Sequence, residues 1–234
     1  MESWIAFLRG PGLVFAFALL FLGSARQVVL TVVELVRAYR KAGDQSIPWR
    51  WMFKKSLGWI FPVNALRGLR IPYTVSSAVF HAGVLLVPVL LAGHVALVEK
   101  GIGLSWPTLP ASAADGLTLA ALAALVVIAG FRLLERAARE LSGFQDWFLL
   151  VLCATTFLTG YWVAHPEGNP LPFSLAYLVH LAGALLIIAL LPFTKLAHAL
   201  LFPFTRITWE LGWHFVPRAG DRIRLALGKE GEGV

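Results

Sequence analysis

Five long apolar runs constrain the fold of this chain more than any other feature. They cover about Trp4 to Leu35, Tyr73 to Val98, Leu117 to Leu134, Trp147 to Val163 and Phe173 to Phe204. A helix needs about 20 apolar residues to cross the hydrocarbon of a bilayer, and each run reaches or approaches that length. Of the 234 residues 58% are hydrophobic and only 14% charged, whereas soluble domains carry about 25% charged residues. The expectation is an all-α membrane protein, a bundle of five transmembrane helices. Arg26 interrupts the first run, so its spanning part is the front half. The fifth run is over-long and should tilt or project from the membrane. Gly23-Ser24-Ala25 resembles a signal-peptide cleavage site, but no cationic segment precedes it and apolar sequence resumes at Val28. A retained first helix is therefore expected.

The net charge of +7 does not point to nucleic acid, because the cations fall on one topological side. The first connection carries Arg37, Arg40, Lys41, Arg50, Lys54, Lys55, Arg67 and Arg70 against Asp44. The second, Glu99 to Asp115, has only Lys100. The third has Arg132, Arg136 and Arg139, the fourth (His165 to Pro172) has no Lys or Arg, and the tail beyond Arg206 is basic again. Positive charge accumulates on the cytoplasmic side. The expected topology therefore has the N-terminus outside and the C-terminus in the cytoplasm, in a multi-pass protein of the bacterial inner membrane. The membrane domain should occupy 1–215. Within it, 45–62 mixes tryptophans with Arg50, Lys54 and Lys55, and Trp209 to Phe215 is similarly rich in aromatics. Both suit the headgroup level of the lipid or a docked cytoplasmic partner. Residues 216–234, ending near Gly-Lys-Glu-Gly-Glu-Gly, read as a flexible cytoplasmic tail.

The chemistry narrows next. Cys153 is the one cysteine, and no CxxCH motif exists. Covalent c-type haem, an iron–sulfur cluster and a cysteine-bound zinc are excluded. Four histidines lie inside apolar runs: His81, His94, His180 and His198. Ionisable groups within a membrane are costly and usually functional. Their distances from the charged ends sort them by depth. His81 lies 11 residues above Arg70 and His198 8 before Arg206, placing both in the inner half. His94 is 6 before Lys100 and His180 8 after Pro172, placing both in the outer half. Two pairs of imidazoles far apart suit two six-coordinate irons, and non-covalent haem b fits better than zinc or copper. With both axial positions filled, electron transfer rather than oxygen chemistry is expected.

In an ideal helix the 18 residues from His180 to His198 make five turns, so both would share a face, about 27 Å apart. The 13 residues from His81 to His94 instead separate them by about 140°. Pro88 lies midway and could kink or rewind the helix, or the ligands could approach their irons from different sides. Small residues flank the histidines at Ala82-Gly83, Ala92-Gly93 and Ala182-Gly183. They suit a flat macrocycle or plain helix packing. Arg26 and Lys195 are candidate partners for haem propionates, or snorkelling cations. Lys100, Glu99 and Trp106 are candidates for a quinone site, or ordinary interfacial residues.

Phe80-His81-Ala82-Gly83 with Gly93-His94 resembles the second helix of the gamma subunit of respiratory nitrate reductase. Leu191-Pro192-Phe193-Thr194-Lys195-Leu196-Ala197-His198, with His180 upstream, resembles its fifth helix, and Phe21-Leu22-Gly23-Ser24 with Arg26 its first. The resemblance implies a five-helix cytochrome b with two bis-histidine haems. Quinol would be oxidised near the outer haem on His94 and His180. Electrons would pass to the inner haem on His81 and His198, then to an iron–sulfur or multihaem cytochrome partner. The longer His81–His94 interval and first connection suggest a relative from another quinone-linked complex. The rival readings are a haem-free proton-relay transporter and a structural membrane anchor. No internal repeat supports the transporter.

Overall fold

A computed structural model describes residues 1–43, 49, 50, 53, 54, 71–214 and 218–231. Most of the expected interfacial segment 45–62 lies outside the described residues. Helices are the only regular elements among the described residues. Helix α1 (Glu2–Phe7) passes through a wide π turn, Leu8–Gly12, into α2 (Leu13–Lys41). Pro11 sits in that turn and supplies no N–H to the ladder. Then follow α3 (Ile71–Leu90), α4 (Ala92–Ile102), α5 (Ala111–Leu134), α6 (Arg136–Leu141), α7 (Phe144–Ala164) and α8 (Phe173–Leu190). Helices α9 (His198–His214) and α10 (Ala219–Ala226) complete the chain. Thus the stretch expected to be a flexible tail contains a helix. Among the described residues, five stretches are long and apolar enough to cross a membrane: Glu2–Lys41, Ile71–Leu90, Ala111–Leu134, Phe144–Ala164 and Phe173–Phe193.

The chain divides into two compact units, Met1–Ala16 with Asn64–Ile188, and Phe17–Val63 with Ala189–Val234. In the first, α3, α5 and α7 pack around Val87, Ala121 and Phe157, with Phe80, Val84, Leu91, Leu117 and Leu122 against them. The buried seam of α5 runs Ala114, Thr118, Ala121, Leu125, Ile128, a three-and-four spacing that keeps one face inward. Small residues make the closest approach. A Cβ on Gly83 would lie 2.6 Å from the Ala121 Cβ. Meanwhile Val126 is 72% and Leu134 85% exposed. Small side chains inside and large apolar ones outside is the pattern of helices packed in lipid.

Two of the expected helices are broken. The second run does not continue from 73 to 98. It stops at Leu90, Leu91 turns extended (φ −70°, ψ 128°), and α4 starts afresh. The break comes three residues after Pro88, so the 140° offset of an ideal helix does not apply. The fifth run also breaks, in the second unit, at two 3-10 turns, Leu191–Phe193 and Lys195–Ala197. Pro192 has no N–H to donate four residues back. Thr194 is extended and its hydroxyl bonds the Leu190 carbonyl at 2.9 Å. The five-turn register expected between His180 and His198 is therefore lost. Two contacts hold this break in the second unit. Gln27 Nε2 donates to the Pro192 carbonyl at 2.9 Å. Gly23 allows close contact, since a Cβ there would lie 2.6 Å from Pro192 Cγ.

Candidate functional site

His94 and His180 meet in the first unit. Their ring centroids are 6.1 Å apart and their planes 6° from parallel. Different helices deliver them, each by a specific local device. The break at Leu91 frees the carbonyls of the last turn of α3. All three find donors: Pro88 O from His94 Nδ1–H (3.0 Å), Val89 O from the Trp106 indole (2.8 Å) and Leu90 O from Leu109 N–H (2.9 Å). Unpaired carbonyls in hydrocarbon cost several kcal/mol, so this capture holds the break open. His94 is thereby oriented by the backbone discontinuity that precedes it. On α8, His180 Nδ1–H donates across to the Thr156 carbonyl of α7 at 2.9 Å. Gly160 makes that approach possible. A Cβ there would lie 2.7 Å from His180 Cε1.

A carbonyl oxygen only accepts, so Nδ1 carries the proton in both rings and Nε2 keeps its lone pair. That is the form in which a neutral imidazole can ligate a metal, with its other nitrogen tied to a hydrogen-bond acceptor. Parallel rings at this distance also occur in ordinary aromatic pairs. The hydrogen bonds place both rings in the tautomer that ligation requires.

His81 lies in the first unit and His198 in the second. Both also turn Nδ1 to backbone, His81 to Ser77 O at 2.7 Å and His198 to Lys195 O at 2.6 Å. Arg26 and Lys195 are exposed and belong to the second unit. Glu99 and Lys100 are exposed on α4. Trp106 commits its indole N–H to Val89 O, a structural duty beside His94. Of the flanking glycines, Gly83 and Gly183 serve helix packing. A Cβ on Gly183 would lie 2.4 Å from Thr156 Oγ1, while one on Gly93 would meet nothing.

Several residues at this end of the unit escaped the sequence reading. Gly160 and Thr156 lie in a run with no ligand of its own, 24 residues from His180 in the case of Thr156. No local motif marks them. His165 Nε2 lies 3.3 Å from Asp115 Oδ2, joining the end of α7 to the start of α5. The Tyr161 ring stacks on His165 with centroids 4.3 Å apart. At the other end, Arg132 pairs with Asp146 at 3.4 Å, and the Tyr73 and Phe131 rings meet edge-on.

Two neutral imidazoles with Nε2 free of a proton are the donors that an iron would need whose macrocycle supplies four equatorial nitrogens. Among the described residues no three His, Cys, Asp or Glu side chains converge as a tetrahedral zinc site would need.

No protein-family model matches the chain, and no solved structure matches it. A protein of Nitratidesulfovibrio vulgaris strain Hildenborough, named only "Protein", is 32% identical over 227 residues, covering 94% of this chain and 96% of that one. The two chains belong to one family.

Proposed function

We propose that this member of that family is a membrane cytochrome b subunit. It would hold two non-covalent haem b groups, accept electrons from quinol near the outer membrane face, and pass them to a partner redox subunit. The observation that carries the reading is the His94–His180 pair, two parallel imidazoles with both Nδ1 protons bound to backbone carbonyls. Bound between two such imidazoles, haem b supplies reversible one-electron chemistry with no open coordination position.

The remaining work falls to the chain. Trp106, Leu109 and the Pro88 carbonyl fix His94, while Thr156 and Gly160 fix His180. Apolar helices exclude water from around the pair, and a lipid-soluble quinol reaches it through the bilayer. Assignment of His81 and His198 to the inner haem rests on their depth along the sequence and on the nitrate reductase gamma resemblance. The same sources support an outside N-terminus, an inner-membrane location, and as partner an iron–sulfur subunit on the cytoplasmic side or a multihaem cytochrome.

The test is a pyridine haemochrome assay and redox-titrated spectra of the purified full chain. Two b haems per chain are expected. His94→Ala and His180→Ala should each remove the same one, leaving about half the haem, as expected when a bis-histidine iron loses a ligand. A folded chain without haem, or loss of different haems in the two variants, overturns the proposal.

A further inference from the structure

We infer that His165 and Asp115 form the proton-accepting site for the quinol headgroup, an inference that rests on the function proposed above. Helix α7 ends at Ala164, His165 caps it, and Pro166 prevents its continuation. His165 Nδ1 lies 3.0 Å from the Tyr161 carbonyl, which can only accept, so that nitrogen carries a proton. Its Nε2 faces the Asp115 carboxylate at 3.3 Å. A bare Nε2 lone pair would repel a carboxylate oxygen. A proton placed between them makes the contact attractive, so this geometry suits the pair to take up a proton and hand it on. The side chains are 29% and 36% exposed, enough for exchange with water.

Position links this pair to the outer histidines. Gly160, which touches His180, lies five residues before His165 on the same helix end, about 7.5 Å along the axis. Tyr161 and Asp115 are the titratable groups in contact with His165, and Glu167 stands exposed in the following 3-10 turn. Lys100 is the one Lys or Arg in the connections Glu99 to Asp115 and His165 to Pro172. Departing protons therefore meet little local positive charge from these connections.

A quinol that becomes a quinone loses two protons and two electrons. Each proton passes from a quinol hydroxyl to the Asp115 carboxylate while His165 releases one to water. The proton on Asp115 then moves to Nε2, restoring the pair. The pair turns over twice per quinol. The two electrons leave singly for a one-electron acceptor, the b-type haem of the proposed function.

The test uses full-length Asp115→Asn and His165→Gln, with Asp115→Glu as the conservative variant. Haem spectra and reduction by dithionite should match wild type, which also reports folding. Reduction by menadiol in stopped flow should slow by about 100-fold, the scale of a lost general base. Asp115→Glu should recover most of the rate. Menadione binding by calorimetry should weaken in the first two variants. Wild-type menadiol rates and menadione affinity in both would overturn the dyad. If wild type holds no b haem, the proposed function fails. Weaker menadione binding by the variants would even then uphold the dyad as a quinone site.

Discussion

The two helix breaks solve one problem in different ways. Each has a proline, Pro88 three residues before the first and Pro192 within the second, and each precedes a histidine, His94 or His198. At the first break the histidine Nδ1 bonds a carbonyl that the break has released, Pro88 O; at the second it bonds Lys195 O, which also accepts the His198 backbone N–H. The difference lies in what holds the break open. At Leu91 the donors come from the next loop, Trp106 and Leu109. At Leu191–Ala197 the side-chain donors are Thr194, within the break, and Gln27, 165 residues away. The first break is a local device, complete within about 20 residues of chain. The second depends on α2 being in place. A broken helix is expensive in lipid because each orphan carbonyl must find a donor. Two breaks that each find one are therefore specific features of this fold.

The sharpest way to break the comparison acts on the partner of His94. Gly160→Leu places a side chain where the His180 ring lies, and should remove one haem as fully as His180→Ala. A haemochrome value near that of wild type would show that His180 can move. Next in size is Trp106→Phe. It leaves the Val89 carbonyl without its donor, at about 1–3 kcal/mol. For a chain of this size each kcal/mol lowers Tm by about 2–4 °C. The haem lost on warming should be the one lost in His94→Ala. Gln27→Leu should cost about 1 kcal/mol and loosen the other haem, the one lost in His198→Ala. Equal effects of these two variants on both haems would mean that the breaks are not independent. The smallest effect belongs to Thr194→Val. It removes the hydroxyl bond to Leu190 O at about 0.5–1.5 kcal/mol, lowers Tm by a few degrees and leaves both haems bound.

Much of the architecture is legible in the sequence, because a membrane helix announces itself by unbroken apolar length. The five helices long and apolar enough to cross a membrane each overlap one apolar run, although the second and fifth stop short of the run's end. The breaks are half legible. Pro88 and Pro192 are visible, yet their positions do not say whether a helix kinks or stops. Stopping depends on donors elsewhere, such as Trp106 and Gln27, which no local window contains. The histidines stand out because charge-capable groups are rare in such runs. Gly160 and Thr156 do not, since a glycine or threonine in a membrane helix usually serves packing, as Gly83 and Gly183 do here. His165 and Asp115 lie 50 residues apart at helix ends. Only the antiparallel pairing of α5 and α7 brings them together.

The break at Leu91 also acts as a stop on a ruler. Helix α3 has 20 residues, a rise of about 30 Å, which equals the hydrocarbon thickness of a bilayer. On the proposed function, a helix of that length would bring Leu91 to the outer edge of the apolar layer. His94 would then open the next helix at the level where a reductant dissolved in the membrane carries its polar ring.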